Sequence, residues 1–468
     1  MSGPMSLEPG GAHQDTLALR LADTAARPPR RAWAETTLAL KLPGPDEAEV
    51  SRLAAELADR VGPAVHPYEV AALLEAEGLS AETIRGRYGH PNIFSLAAAL
   101  YERVPRVFPE PVKAPDPWRP DTVRCLLRGV LFALPGLAYL LTAPLWNPGR
   151  HATALIVAGI VSWAWGQALG HRAYLRMVAG RREAGRTLLT GAPLGAAVAT
   201  AAGAAATGGG SVTWAVAAQS LYLAAAGNLL VLGRERLLLI ALTPLIAGAA
   251  VLPWWEPGPL LRAGLPALTL LATLGMAARA LHGAYAAPAA PDGGARLPLS
   301  RSLPYGLFGL AAAVLVLLEG RLEPYAVIAL TVSMGPAEWL LYRFRGLSVT
   351  ALGAASTPSG FLLRSAGVLG LCLAAYLLLL LPVALLTGAA PAALLLLAAT
   401  LWTALLLQAF GVAWPPALLC GAAAAGAATA TFLGPAAGAP ALTLSCGLAA
   451  PGLVVCALWI LGRPARHG

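Results

Sequence analysis

The sequence predicts an all-α, polytopic membrane protein of about twelve transmembrane helices in two six-helix halves, preceded by a small helical cytoplasmic module. Three observations carry this. From Arg124 onward long apolar runs alternate with short connections, and arginines gather on every second connection. A chain that is 57% apolar and only 12% charged also has too little polar surface to cover itself in water.

Taken from the start, residues 1–45 carry Pro and Gly clusters and no apolar core ahead of a cleavage site. They are expected to be a disordered segment without a cleavable signal. Residues 46–104 change character to short amphipathic helices with recognisable starts and stops. Asp46 is expected to cap a helix through Val61, Pro67 to open one reaching Glu77 and ended by Gly78, and Ser80 to cap one ended by Gly89. A last helix covers Ile93 to Val104. Three helices joined by tight turns invite comparison with a DNA reader, but acids such as Glu47, Glu49, Glu56 and Asp59 outnumber bases here, and duplex binding needs a basic face. The expected partner of 46–104 is therefore a cytoplasmic protein and not nucleic acid. Residues 105–123, rich in proline, read as a semi-rigid linker.

The membrane region then offers apolar runs at 124–146, 152–175, 187–206, 211–232, 237–254, 262–281, 303–318, 325–342, 362–387, 391–410, 414–433 and 440–461. Each has roughly the 20 residues that a helix needs to cross the hydrocarbon core. Bases near a span stay in the cytoplasm, and they fall together: Arg124 and Arg128 before the first run, then Arg172, Arg176, Arg181, Arg182 and Arg186, and at later alternate connections Arg234 and Arg236, Arg279, Arg296 and Arg301, and Arg343, Arg345 and Arg364. The tail, 463–468, carries Arg463 and Arg466. Both termini are thus expected in the cytoplasm of a bacterial cell, with the chain in the inner membrane. The formal charge of +9 needs no nucleic acid, since arginines at helix ends face anionic headgroups. Five cysteines without CxxC spacing give no disulfide or zinc pattern, and no cofactor or metal site is expected.

Polar residues inside the spans are the functional candidates, because an ionised group at mid-bilayer costs about 2.5–3.5 kcal/mol on insertion scales. Glu338 stands out, and lies about a turn from Arg343 and Arg345, which are expected to ion-pair with it if its role is structural. Gln167 and His171 are four apart on one helix face, with Arg172 following. Gln219, Asn228 and Gln408 are single polar residues, for which interhelical hydrogen bonding competes with substrate binding. Trp254, Trp255 and Tyr325 fit an interfacial aromatic belt.

The two halves, 124–281 and 303–462 joined by a linker at 282–302, echo one another. Val161-Ser162 leads through Gly166-Gln167-Ala168 to Arg176, as Val332-Ser333 leads through Gly335-Pro336-Ala337 to Arg345. Gly129-Val130-Leu131-Phe132 is matched by Gly306-Leu307-Phe308. Gln167 and Glu338 thereby take equivalent places, as in a six-plus-six transporter with its site between halves. In its twelve spans, weakly similar halves and basic connections after the second and eighth spans, the chain resembles the multidrug/oligosaccharidyl-lipid/polysaccharide exporter superfamily over roughly residues 124–462. The resemblance implies alternating access and, in one branch, export of a lipid-linked or polymeric glycan. The motif of major facilitator proteins is met only in part by Gly180-Arg181-Arg182-Glu183-Ala184-Gly185-Arg186, which lacks the preceding Gly-x-x-x-Asp.

Catalytic patterns are missing: there is no phosphate-cradling Gly-rich loop with Lys, no HExxH and no GxSxG. Glu256, Glu319 and Glu323 are expected in solvated external loops. The sequence-level expectation is a transporter or flippase for a lipid-linked saccharide or polysaccharide. Its rivals are a scaffold that recruits a cell-envelope synthesis partner through residues 46–104, and a membrane glycosyltransferase.

Overall fold

A computed structural model describes residues 45–105, 120–288, 298–355, 357–386, 391–434 and 438–463. All but the last residue of the expected disordered segment, most of the proline-rich linker, part of the 282–302 linker and the tail beyond Arg463 therefore lie outside the described residues. Among those described, the regular structure is helical throughout. Contacts divide the chain into two compact units, with described residues up to 105 in one and those from 120 onward in the other.

The first unit contains α1 (Pro45–Glu56), α2 (Ala58–Val61), α3 (Pro67–Ala76), α4 (Ala81–Tyr88) and α5 (Ile93–Arg103). The single helix expected from Asp46 to Val61 is broken at Leu57. Pro67 holds the first position of α3 as expected, but His66 is the cap, its Nδ1 accepting from Tyr68 N at 3.2 Å. Ser80 caps α4, which ends at Gly89 with φ +68°. Asn92 and Ser95 form a reciprocal capping box on α5. Val70, Leu74, Ile84, Leu96 and Leu100 close an apolar core. Part of the acidic surplus is internally matched: Glu49 accepts from Arg52 at 2.7 Å and Arg87 at 2.9 Å, and Glu77 pairs with Arg60.

The second unit contains α6 (Thr122–Ala133), α7 (Leu137–Thr142), α8 (Pro148–Ala179), α9 (Arg181–Thr207), α10 (Val212–Val231), α11 (Glu235–Ala250), α12 (Pro259–Tyr285), α13 (Leu303–Leu322), α14 (Pro324–Ala354), α15 (Pro358–Leu386), α16 (Pro391–Ala409), α17 (Trp414–Leu433) and α18 (Gly438–Leu461). α6 and α7 continue one another through a 3-10 turn containing Pro135. Every expected apolar run is helical over most of its length among the described residues, with 237–254 leaving the helix after Ala250, and ten of the described segments are long and apolar enough to cross a membrane. The other two depart for different reasons. α11 has 16 residues, about 24 Å at 1.5 Å per residue. α14 has ample length at 31 residues but carries Glu338, Arg343 and Arg345. The basic connection expected after the second run shrinks to Gly180, at φ +136°, so that Arg181, Arg182 and Arg186 lie in the opening turns of α9.

Buried apolar side chains of this unit separate into clusters. The largest draws only on residues 308–461, whereas the others draw only on residues 131–284. Contacts between these two regions are of another kind. A Cβ built on Gly129 of α6 would stand 2.7 Å from Val332 O and 2.8 Å from Gly335 N of α14, and one on Gly335 would stand 2.7 Å from Cys125 O. Pro336 contributes to this approach, because it has no N–H to give the Val332 carbonyl one turn earlier. A reciprocal contact joins α13 to α8, where a Cβ on Gly309 would stand 2.8 Å from Gln167 Cγ and 3.1 Å from Ala164 Cα. Close backbone approach at glycines thus links two apolar cores that share no cluster.

Candidate functional site

A buried charge cluster sits where α6, α11 and α14 meet. Arg124 and Arg128 are four apart and share one face of α6, which Asp121 starts by accepting from Arg124 N at 3.1 Å. Glu235 opens α11, where a carboxylate is favoured by the helix dipole. Glu338 is the acid of α14. Arg128 donates through Nε (2.9 Å) and Nη2 (2.7 Å) to Glu235 Oε1, and through Nη1 to Glu338 Oε1 at 2.5 Å. Arg124 Nε adds 2.9 Å to the same Glu235 oxygen. Two guanidiniums therefore face two carboxylates, and the planar fork of Arg128 can satisfy both acids at once. Side chains of Arg128, Glu235 and Glu338 are 7–9% exposed, so removing either sign would strand a charge away from water.

Glu338 also lines a cavity of about 90 Å³ together with Gln167, Gln408, Trp163, Tyr376 and Trp402. That volume holds a few waters or a small polar group. Its walls are braced: Tyr376 Oη lies 2.9 Å from Ser333 Oγ, and Trp402 Nε1 donates to Ala337 O at 3.2 Å. Gln408 is buried, and its Nε2 has no hydrogen-bond partner among the described residues. On the other side of the cluster, Arg124 and Glu235 line an open cleft of about 1000 Å³. The chain Glu235–Arg128–Glu338 thus runs from an open cleft to an interior cavity.

Of the residues singled out from sequence, Glu338, Gln167 and Gln408 converge on this cavity. The expected pairing of Glu338 with Arg343 or Arg345 is corrected: Arg343 is exposed above the Trp339 ring at 5.6 Å, Arg345 is buried against Phe410, and Arg128 is the partner. His171 stacks on Tyr305, with ring centroids 3.7 Å apart, and its Nδ1 lies 3.1 Å from Ser302 Oγ. It joins α8 to the start of α13. Arg172 is half-buried beside it on α8. Gln219 donates to Leu155 O at 3.0 Å, an interhelical bond, and Asn228 lines a separate cavity of about 30 Å³ with Ser162 and Ser220. From the sequence, Arg128 was expected only as a base retained before the first span, and Glu235, between Arg234 and Arg236, was not singled out. Glu319 was expected in a solvated loop, whereas it is 1% exposed within α13 and its Oε2 has no partner among the described residues. Each of these glutamates directly flanks an expected apolar run, Glu235 two residues before 237–254 and Glu319 one residue after 303–318, and that adjacency was the signal.

Fold and site together define a membrane-embedded, multipass α-helical protein with a buried charge cluster between helices. Compared with known proteins, the chain matches no protein family, no curated protein and no solved structure.

Proposed function

We propose that the protein is a twelve-span transporter or flippase of the bacterial cytoplasmic membrane. It moves a lipid-linked saccharide or polysaccharide by rocking two six-helix halves, 124–281 and 303–462, with both termini in the cytoplasm. The observation that carries this reading is the contrast between apolar cores confined to each half and a seam made of glycine contacts, the His171–Tyr305 stack and one buried ion-pair cluster. Packed cores resist deformation, whereas a seam of this kind can separate as two rigid bodies. α6 and α14 pair across it, as do α8 and α13, so each half offers its first two spans to the other.

The ion pair between Arg128 and Glu338 is the latch. Its rupture uncovers charge in a low-dielectric setting, at a cost of several kcal/mol. The open state therefore needs a ligand or proton that binds it preferentially. Gln167, Gln408 and Glu338 supply the polar surface of the cavity, which enlarges as the seam parts.

Reconstitution of the full chain in vesicles tests this, with flux of a fluorescent lipid-linked oligosaccharide as the readout. Flux should be present in the parent and lost in Glu338→Gln and Gln167→Ala variants that remain inserted. Equal flux in parent and empty vesicles would sink the proposal.

One observation favours the scaffold reading as a second. Residues 45–105 have their own core, yet Val65, Tyr68 and Phe94 are more than half exposed, with the Tyr68 and Phe94 rings in edge contact at 5.8 Å. Deleting residues 46–104 should then abolish the cellular phenotype while leaving flux intact.

A further inference from the structure

The 1000 Å³ cleft is built by four separate pieces of chain: the start of α6, the first residue of α9, the turn between α10 and α11, and the last turns of α12. Each contributes arginine, as Arg124, Arg181, Arg234 with Arg236, and Arg279. Its carboxylates are already committed. Asp121 caps α6, and Glu235 accepts from both Arg124 and Arg128. The guanidiniums of Arg181, Arg234, Arg236 and Arg279, unlike their backbones, have neither an ion pair nor a hydrogen bond among the described residues. Gly233, at φ +68°, brings the α10–α11 turn close to Arg124, whose Nη2 would lie 3.1 Å from a Cβ built there.

Retention of positive charge at one membrane face explains a count of arginines at helix ends. It does not explain their convergence from four elements on one concavity, where like charges repel over distances shorter than the screening length. Such a surplus is relieved by a multiply charged anion. The planar guanidinium fork matches phosphate oxygens two at a time, and the volume is that of a ligand site. We propose that this cleft binds an anion carrying two or more phosphoryl charges, the diphosphate class. The anion can come from a lipid headgroup or from free solution. Because Arg124 is shared between the cleft and Glu235, the bound anion competes with Glu235 for that arginine and so touches the Arg128–Glu338 pair indirectly. The inference does not depend on transport and stands equally for a scaffold.

The test uses the full chain in nanodiscs of phosphatidylcholine, titrated calorimetrically with inorganic pyrophosphate. Saturable binding is expected, weakening as salt rises, and falling about tenfold or more in Arg234→Gln/Arg236→Gln/Arg279→Gln, since hydrogen bonds to charged groups contribute strongly. A control, Arg150→Gln/Arg321→Gln, removes exposed charge elsewhere and should bind as the parent does. If lipid is the source, discs containing cardiolipin, whose headgroup carries two phosphates, should block pyrophosphate in the parent. If the source is soluble, the two kinds of disc should bind it alike. Two results overturn the proposal: no saturable binding in phosphatidylcholine discs, or equal loss in the cleft and control variants. No flux is measured, so this failure and a failure of the transport reading are separately visible.

Discussion

Arg128 Nη1 and Glu338 Oε1 lie 2.5 Å apart although 210 residues separate them in the chain. Their neighbours explain the meeting. Gly129 follows the arginine and Gly335 precedes the glutamate by one helical turn, and a Cβ on either glycine would collide with the opposite backbone. The helices approach closely enough for the ion pair only because neither glycine carries a side chain.

Replacing Arg128 with leucine should lower stability by about 3–5 kcal/mol, the usual consequence of stranding a buried partner. Thermal unfolding in detergent reads this. The combined variant Arg128→Leu/Glu235→Leu/Glu338→Met should recover part of the loss, because the one guanidinium left, Arg124, is about half exposed and can be hydrated. Identical unfolding of parent, single and combined variants would remove the cluster from any structural role.

Leucine at Gly129 or Gly335 should cost about 1–3 kcal/mol or more by overpacking the seam. Alanine at Gly370, in the interior of α15 with nothing within 4 Å of a built Cβ, should gain roughly 0.5–1 kcal/mol from helix propensity. Opposite signs in the same unfolding assay support the seam; equal effects contradict it.

Gln408→Leu removes a buried Nε2 that has no hydrogen-bond partner among the described residues. An unsatisfied buried donor costs about 1–3 kcal/mol, so this variant should unfold at a higher temperature than the parent. It should also carry less flux, if the amide serves substrate. A variant that is both less stable and fully active would assign Gln408 to structure.

Glu319→Gln should likewise stabilise the protein, by about 1–3 kcal/mol, since its carboxyl is buried and one oxygen has no partner among the described residues. The melting temperature checks this. A fall in place of a rise would mean that the carboxylate itself holds a partner.

Much of this architecture was legible in the sequence for local reasons. Pro67, Ser80, Gly78 and Gly89 mark helix ends because capping and positive φ act within a turn. Apolar runs announce helices because lipid demands internal satisfaction of every backbone group. Gln167 and Glu338 were expected in equivalent places from the shared spacing of Val161-Ser162 to Arg176 and Val332-Ser333 to Arg345, and they line one cavity. The extent of α9 and the brevity of α11 were less visible, since helix ends depend on which turns pack and which remain exposed.

The sequence by itself determined an all-helical, membrane-embedded chain and one of its buried acids, Glu338, for hydropathy and capping are properties of neighbouring residues. Only tertiary structure decided which base meets which acid. Arg343 and Arg345 are closer to Glu338 along the chain, yet Arg128 holds it, because the approach at Gly129 and Gly335 aims that guanidinium at α14 while Arg343 turns outward over Trp339 and Arg345 packs on Phe410. Partner choice among buried charges follows helix packing, and helix packing is fixed by contacts hundreds of residues apart.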